Sequence, residues 1–267
     1  MSQIHFIGGE KGGVGKSVLT RLLAQYHIDR DLPFQAFDTD RSHGAMLRFY
    51  GNYTRPIILD DFSSADQLME AAMECHQNVL VDMAAQTSLP LFKWMDDNDL
   101  LELAAEEGIG VVLWHVLDDG VDSIDLLERL FDLYAENAEY VVVKNRGRGK
   151  DFSPFEASSA RATAHALDVP VIELPELHGP TMRKVDHQNL SFWAAGNNKQ
   201  AGLGLMERQR VKVWTRKAYE QFDGAGESLF SKPASDQTAA QTEAPEPMVK
   251  AIPLQEEDIG ATQRLGL

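Results

Sequence analysis

Short apolar runs alternate along most of the chain with segments whose apolar residues recur at helical spacing. Apolar runs of this length are typical of buried β-strands, and the spaced segments are typical of amphipathic helices. We predict strands at residues 4–7, 34–37, 57–59, 78–82, 109–116, 140–143 and 169–174. The alternation predicts an α/β fold built on a mostly parallel, doubly wound sheet with helices on both faces.

Helices are predicted between these strands, and one more follows the last strand. Their ranges are 18–24, 63–76, 88–107, 120–131, 153–167 and 205–222. From Gly224 onward a bias toward Ser, Ala, Gln, Pro and Glu, with few large apolar residues, is typical of disorder. We therefore predict one folded domain at residues 1–223 and a disordered acidic tail at residues 224–267.

The composition excludes several classes of protein. With 267 residues, 43% of them hydrophobic and 25% charged, the chain can form one large globular core. No apolar run reaches the roughly 18 residues that cross a membrane, and no signal-peptide pattern is present, so we expect a cytoplasmic protein with no membrane partner. A single cysteine, Cys75, excludes an internal disulfide. The net charge of −16 opposes general nucleic-acid binding, because an acidic surface repels phosphate.

A glycine-rich segment at residues 8–17 follows the first predicted strand and opens the first predicted helix. This context of strand, loop and helix is the one that a phosphate-binding loop requires. Glycines let successive backbone N–H groups surround phosphate oxygens, and the helix adds the partial positive charge of its first turn. Lys16 would reach the β- and γ-phosphates, and the Ser17 hydroxyl would hold the Mg²⁺ that bridges them. The predicted nucleotide-binding residues of the loop are Gly12, Gly13, Val14, Gly15, Lys16 and Ser17.

Carboxylates stand where two of the predicted strands end. Asp38 and Asp40 follow the strand at 34–37, and Asp82 ends the strand at 78–82. The carboxyl ends of parallel strands meet at the ligand crevice of such a sheet. We therefore expect Asp82 to hold Mg²⁺ opposite Ser17, usually through water. ATP and Mg²⁺ are the predicted cofactors.

A second lysine, Lys11, precedes the glycines, while Glu10 occupies the first glycine position of the ordinary phosphate loop. The segment from Lys11 to Ser17 resembles the deviant Walker A loop of the ParA/MinD family of nucleotide-dependent dimerising ATPases. The resemblance implies a P-loop NTPase fold, slow ATP hydrolysis and an ATP-dependent homodimer in which Lys11 contacts the nucleotide of the partner subunit. It also implies that Asp40 orients the attacking water and that Asp38 is a metal-shell or structural partner. The catalytic residues implied in this way are Lys11, Lys16 and Asp40.

The resemblance extends to residues later in the chain. In the family an asparagine at the place of Asn145 reads the adenine edge, and a polar turn is the alternative interpretation here. Pro175 corresponds in order to the family's loop beneath the purine ring, and Gln86 corresponds to a polar group of the second switch. The chain departs from the family at Arg41-Ser42, where Pro-Gln is frequent, and after Asp82, where Thr-Pro-Pro is usual.

Within this family, residues 1–28 and 207–214 resemble the TraL-type ATPases of conjugative plasmid transfer regions. This resemblance implies an ATPase that accompanies DNA mobilisation, together with a protein partner. In the last predicted helix, Arg208, Lys212 and Arg216 form a basic stripe beside the apolar face. The stripe is either the rim of a docked helix or an edge that contacts DNA or a partner, and the negative net charge disfavours DNA.

Two other functions fit the same loop. Deviant loops also occur in synthetases similar to dethiobiotin synthetase and cobyrinic acid diamide synthase, which phosphorylate a substrate. A further alternative is an adaptor that binds nucleotide without turnover. An ATPase switch would release phosphate without added substrate and would lose this activity on replacement of Asp40, which separates it from both alternatives.

Overall fold

The computed structural model describes residues 2–40, 44–74 and 77–230. The strands are β1 Gln3–Gly8, β2 Phe34–Asp38, β3 Thr54–Pro56, β4 Asn78–Asp82, β5 Gly110–Leu117, β6 Glu139–Asn145 and β7 Val171–Leu174. They form one sheet in the order β3-β2-β4-β1-β5-β6-β7, and every neighbouring pair is parallel. The predicted fold class, a mostly parallel, doubly wound α/β sheet with helices on both faces, is confirmed.

Helices cover both faces of the sheet. They are α1 Lys16–Asp29, α2 Ala45–Tyr50, α3 Phe62–Ala65, α4 Gln67–Glu74, α5 Ser88–Asp97, α6 Leu100–Glu106, α7 Val121–Tyr134, α8 Ser153–Glu156, α9 Ser159–Ala166, α10 Gly179–His187, α11 Phe192–Asn197 and α12 Leu205–Ala225. Because side chains alternate along a strand, Ile7 of β1 joins a core with α1 and α12, and Phe6 joins a second core with α4, α5 and α7. None of the helices described combines the length and the apolar character that crossing a bilayer requires.

β1 lies at the centre of the sheet, because it pairs with β4 on one side and with β5 on the other. The strand order reverses beside β1, and in open α/β sheets a ligand crevice forms outside the carboxyl ends of the strands at such a point. The register sets Ile7 beside Asp82 and Gly8 beside His115. The glycine-rich loop after β1 therefore emerges next to the ends of β4 and β5.

Two of the predicted helices are interrupted by a local change of backbone. The helix predicted at 88–107 is divided into α5 and α6, because Asp99 adopts a left-handed conformation with φ of 44°. The helix predicted at 153–167 is divided into α8 and α9, and the side chain of Ser158 caps the second by accepting the backbone N–H of Arg161. Residues 96–99 are all Asp or Asn, and residues 158–159 are both Ser, so turn-forming residues at both breaks were a signal that the prediction did not use.

Other differences from the sequence prediction lie at the edge of the sheet and in short helices. The strand predicted at 57–59 is found at Thr54–Pro56, while Ile57 packs into the core directly after it. The helix predicted at 63–76 is observed as α3 and α4, with Asp61 rather than a serine capping α3. Helices α2, α10 and α11 were not predicted, since they are short or begin in polar, glycine-containing sequence. Cys75 and Arg41-Ser42 lie outside the described residues.

The packed domain extends beyond the predicted boundary at residue 223. Helix α12 runs to Ala225, and a short 3-10 helix at Glu227–Phe230 follows it. Leu229 and Phe230 are buried in the same core as α1. The predicted tail therefore begins too early, because two apolar residues inside a polar segment complete the core. The prediction of a disordered tail otherwise falls on residues 231–267, which lie outside the described residues.

Candidate functional site

The loop between β1 and α1 wraps around a cavity of about 270 Å³. Gly13 and Gly15 have φ angles of 80° and 105°, which only glycine adopts without strain. A Cβ atom at Gly12 or Gly13 would meet no other atom within 4 Å, so open space lies above the loop backbone. The carbonyl of Gly15 accepts the N–H groups of Val18 and Leu19 and starts α1. A glycine-rich loop that opens a helix is the setting in which backbone N–H groups bind anions.

Lys16 supplies a buried cation to this loop. Its side chain is 6% exposed, and its Nζ donates a hydrogen bond to the carbonyl of Lys11 at 3.0 Å. Burial lowers the pKa of Lys16, and the nearby Asp82 carboxylate partly opposes that shift. An ammonium group with only a carbonyl as partner gains strongly from an anionic ligand.

Asp82 supplies the matching buried carboxylate at the end of β4. The hydroxyl of Thr20 donates to its Oδ1 at 3.0 Å, and Ser17 also donates a hydrogen bond to it. The pKa of Asp82 is raised to about 7; burial is the largest cause and the charge of Asp38 the second, while the hydrogen bonds from Ser17 and Thr20 oppose the shift. Ser17 and Asp82 are therefore brought together as predicted for a magnesium site, although no group of three or more His, Cys, Asp or Glu among the described residues could hold a metal.

Asp38 has a structural role at the end of β2. Its Oδ1 accepts the backbone N–H of Asp40 at 3.0 Å, and its Oδ2 accepts those of Met46 and Leu47 at 2.9 and 3.3 Å. These bonds fix the start of α2 and the turn after β2. Of the two roles predicted for Asp38, the structural one is observed, and metal coordination stays a prediction. Asp40 lines the cavity and is partly exposed.

Lys11 does not extend into solvent but lies against the turn after β5. Its Nζ is 2.9 Å from Oδ2 of Asp118 and 3.9 Å from Oδ2 of Asp122. The hydrogen bond with Asp118 raises the pKa of Lys11 and outweighs the effect of its burial. A Cβ atom at Gly120 would come within 2.4 Å of this Nζ, so the backbone of the turn lies directly against the lysine side chain.

Asn145 joins the end of β6 to the phosphate-loop segment. Its Nδ2 donates to the carbonyl of Val14 at 2.7 Å, and its Oδ1 accepts the N–H of Gly147 at 3.0 Å. A Cβ atom at Gly15 would lie 2.2 Å from Nδ2, so glycine is required for this approach. The side chain is buried and fixed by the protein itself, which is a bracing role that the sequence did not indicate. A base contact by Asn145 stays a prediction.

The other predicted residues, Pro175, Gln86 and the basic stripe of the last helix, are not among the residues that line the phosphate cavity. The carbonyl of Pro175 accepts the indole N–H of Trp214 at 2.7 Å, beside a cavity separate from the phosphate cavity. Gln86 is exposed after β4 with a φ of 69°. In the basic stripe, Arg208 donates to the carbonyl of Leu203 and Arg216 pairs with Glu220, while Lys212 is exposed.

Among the residues of the cavity wall that sequence reasoning missed, Arg148 in the loop after β6 is the charged one. The cluster of basic residues and glycines from Lys144 to Lys150 was a signal, but only Asn145 within it was selected. Whether any of these cations faces the phosphate loop depends on how the loop after β6 folds back, which the sequence pattern does not encode.

The arrangement fits a nucleoside polyphosphate with a divalent cation. Backbone N–H groups, Lys16 and Arg148 provide positive charge and hydrogen-bond donors at the cavity. Ser17 and Asp82 provide the hydroxyl and the carboxylate that Mg²⁺ prefers when it is shared with phosphate oxygens. The predicted residues Gly12, Gly13, Gly15, Lys16, Ser17, Asp38, Asp40 and Asp82 all line this one cavity.

Comparison with known proteins supports one of the resemblances directly. A TraL protein of Escherichia coli is 26% identical over 241 residues, which cover 84% of this chain and 99% of that protein. The chain is similar to TraL over most of its length. The resemblance to TraL inferred from residues 1–28 and 207–214 is thus confirmed. A MobD protein of Acidithiobacillus ferrooxidans is 24% identical over 229 residues, covering 83% of this chain and 96% of that protein.

Comparisons with family models and with solved structures add no family assignment. No family model matches the chain. The solved structure of the MinD cell division protein of Aquifex aeolicus has a TM-score of 0.49 with 14% sequence identity, covering 82% of this chain and 97% of that one.

Proposed function

We propose that the protein is an ATPase switch that binds ATP with Mg²⁺, dimerises on ATP and hydrolyses it slowly. The observation that carries the proposal is a buried lysine, Lys16, and a buried carboxylate, Asp82, at one glycine-lined cavity. Both charges are costly to bury without a partner. A ligand that brings negative phosphates and a divalent cation offsets both costs at once.

Each group of the loop has a distinct part in binding. The backbone of Gly12, Gly13 and Gly15 surrounds the phosphate chain, and Lys16 neutralises its terminal groups. Ser17 and Asp82 would hold Mg²⁺, which neutralises charge on the β- and γ-phosphate oxygens when it is bound. Asn145 and Pro175 are the proposed contacts to adenine.

Hydrolysis requires a water held in line with the terminal phosphate. Asp40 lies at the cavity wall and is partly exposed, so its carboxylate is our candidate for orienting this water. Its backbone N–H is fixed by Asp38, which sets the direction of the turn. Orientation without strong general-base chemistry is consistent with slow turnover.

Dimerisation would transfer Lys11 from one subunit to the nucleotide of the other. In the structure Lys11 pairs with Asp118, and its side chain is 28% exposed. Partly exposed ion pairs contribute only about 0–1 kcal/mol, so the phosphates of a second subunit can compete for this lysine. The exposed apolar side chains of Leu89 and Val121 begin the two nearest helices and add surface that a second copy could bury.

The cellular role is proposed from the similarity to TraL. The resemblance stated from the sequence implies conjugative transfer or mobilisation of a plasmid, with a protein partner and a cytoplasmic location. Helix α12 carries Lys212 on its exposed side and provides one candidate surface for that partner. The net charge of −16 argues against DNA as the first contact.

Phosphate release from ATP without any added substrate tests the proposed activity. We expect slow release by the wild type and loss of release by Asp40→Ala, which should retain ATP affinity and accumulate as a dimer in light scattering. Asp60→Ala, at an exposed carboxylate before α3, serves as the matched control. Release that appears only with an added carboxylate or amide substrate would favour a synthetase, and ATP binding with no release would favour an adaptor.

A further inference from the structure

Arg148 lies at the wall of the phosphate cavity, next to the loop that carries Lys16. It follows β6 and shares the cavity with Gly15, Lys16, Ser17 and Asp82. Its Cγ is 3.9 Å from the position that a Cβ atom at Gly15 would occupy, so the side chain starts beside the residue that precedes the first turn of α1. It is therefore in reach of a ligand held by that turn.

The backbone around Arg148 is firmly held. The N–H groups of Arg148 and Gly149 both donate to the carbonyl of Asn145 at 2.9 Å. The N–H of Lys150 donates to Asp119 at 2.9 Å, and a Cβ atom at Gly149 would lie 2.5 Å from the backbone nitrogen of Asp119. These contacts fasten the loop between the ends of β5 and β6. The base of the Arg148 side chain is thus positioned before any ligand arrives.

The cations on either side of Arg148 are already neutralised. Lys144 pairs with Glu156 and Glu173 at 2.8 and 3.1 Å, and Arg146 pairs with Glu173 at 2.7 Å. Lys150 pairs with Glu176.

Arg148 differs from these neighbours. Its guanidinium makes no ion pair and no side-chain hydrogen bond with any residue that the structure describes, and it is exposed. The chain has 41 acidic and 25 basic residues, so acidic partners for a cation are plentiful. An arginine next to the phosphate loop without such a partner is therefore a candidate for binding an anionic ligand.

We propose that Arg148 binds the phosphate chain of the nucleotide in its own subunit. This inference rests on the proposed function and adds to it a second cation that acts before dimerisation. A guanidinium presents several donors in one plane and matches phosphate oxygens in a bidentate manner, which an ammonium cannot do. Phosphate rather than base is the assigned contact, because Arg148 lines the cavity of Lys16 and Ser17 and not the cavity of Pro175.

The assignment separates two cations that the site would use at different stages. Lys11 is held by Asp118 and would serve the nucleotide of a partner subunit. Arg148 makes no such ion pair with any described residue and would bind the nucleotide of its own subunit. Removal of Arg148 should therefore weaken ATP binding by the monomer, whereas removal of Lys11 should weaken dimerisation.

Calorimetric titration of ATP into Arg148→Ala, Arg148→Lys and Lys150→Ala tests the proposal. We expect an affinity loss of about 10- to 100-fold for Arg148→Ala, because hydrogen bonds to charged groups are lost, and partial recovery for Arg148→Lys. Lys150→Ala, two residues away and paired with Glu176, should stay within about 2-fold of the wild type. Thermal unfolding of Arg148→Ala should match the wild type, since the guanidinium has no partner in the described protein.

Inorganic tripolyphosphate, used to displace ATP, identifies the part of the nucleotide that Arg148 binds. We expect tripolyphosphate to lose the same factor as ATP on Arg148→Ala, and the salt dependence of ATP binding to become weaker. Tripolyphosphate affinity that stays at the wild-type value while ATP affinity falls would assign Arg148 to the base and overturn the proposal. Wild-type ATP affinity in Arg148→Ala would also overturn it but leave the proposed function intact, whereas a wild type that binds no ATP would overturn both.

Discussion

The two ends of the sheet bury titratable groups in opposite ways. At the amino end, His5 and His27 lie in a closed aromatic cluster, where Phe230 stacks on His5 with ring centres 5.9 Å apart. The indole of Trp114 donates to Nδ1 of His5 at 3.0 Å. At the carboxyl end, Lys16 and Asp82 are also buried but face a cavity of about 270 Å³.

The difference separates burial that stabilises the fold from burial that prepares a site. Burial lowers the pKa of His5 to about 3 and that of His27 to about 4, so both rings are neutral and behave as packed aromatic groups. Burial raises the pKa of Asp82 to about 7, but the group keeps polar neighbours and an open side. A perturbed titration therefore indicates a functional site only where the group also has access to a ligand.

Replacement of Lys16 should have the largest effect. It should remove ligand binding at the carboxyl end of the sheet and leave the packing at the amino end unchanged. We expect Lys16→Ala to lose ATP binding by more than about 100-fold, because the buried charge that meets the terminal phosphates is removed. The free energy of unfolding should hold or rise, since a buried ammonium is costly. Calorimetry and chemical denaturation measure the two quantities, with Lys93→Ala on α5 as control. Unchanged ATP affinity would contradict the phosphate-loop assignment.

Truncation of Phe230 should weaken the packing at the amino end of the sheet and leave ATP binding at the carboxyl end unchanged. We expect Phe230→Ala to lower the free energy of unfolding by about 3 kcal/mol, because a buried ring that touches His5 and Tyr26 is lost. Leu133→Ala, at a side chain that is 57% exposed, should change it by less than about 0.5 kcal/mol. Affinity for ATP, measured where both variants are folded, should equal that of the wild type. A coupled loss of affinity would show that the two ends are not independent.

The pH dependence of stability should respond oppositely to the buried histidines and to Asp82. Burial lowers the pKa of His115 at the carboxyl end to about 4, so His115 acts in the same direction as His5 and His27. Unfolded histidines bind protons near pH 6.5, but His5 and His27 do not bind them in the folded state until about pH 4 or below. Stability should therefore fall as the pH falls below 6.5, by up to about 1.4 kcal/mol per pH unit and histidine. Folded Asp82 binds a proton near pH 7, above its unfolded value of 3.8, so it opposes this loss over that window.

Single variants separate the contributions of His5 and Asp82 to this pH dependence of stability. We expect His5→Gln to make the acid slope of the unfolding free energy shallower and Asp82→Asn to make it steeper. Denaturation curves at pH 7.5, 6 and 5 give the slopes. Equal slopes in Asp82→Asn and wild type would mean that Asp82 is ionised throughout, and the cavity would then solvate it far better than the burial indicates.

The smallest effect is expected at the pair of Lys11 and Asp118. Asp118→Asn keeps an acceptor for the N–H of Gly120 but loses the charge that holds Lys11. We expect stability to change by at most about 1 kcal/mol and the ATP-dependent dimer to form at several-fold lower protein concentration. Light scattering over a concentration series measures the dimer, with Asp125→Asn as control. A weaker dimer would mean that Asp118 aligns Lys11 for the partner and does not compete with it.

The sequence predicted the parts of the site whose signal is local. The loop at residues 8–17 is continuous, and Asp82 ends an apolar strand, so their meeting follows from parallel topology alone. Their chemical roles stay predictions until the variants are measured. The bracing of the loop by Asn145 and the position of Arg148 depend on a contact between the segment after β6 and the start of α1, which no local pattern specifies.

The fold was predictable to a similar extent and for similar reasons. Parallel pairing follows from the alternation of strands and helices, but the alternation does not specify the strand order. The breaks in the helices arise from local features such as the left-handed conformation of Asp99. The burial of Phe230 was hidden because the surrounding composition is polar and only tertiary packing selects that residue. Composition therefore located the start of the tail a few residues too early.

The central place of β1 also has a consequence for synthesis on the ribosome. Ile4 pairs with Val79 on one side and with Val111 on the other, so both partners are translated long after it. Such distant pairing is slow, because chain entropy is lost before the contact forms. A nascent chain that ends before Leu117 therefore leaves one edge of β1 unpaired. An unpaired strand edge is prone to aggregate, and we expect a chaperone to bind such a chain.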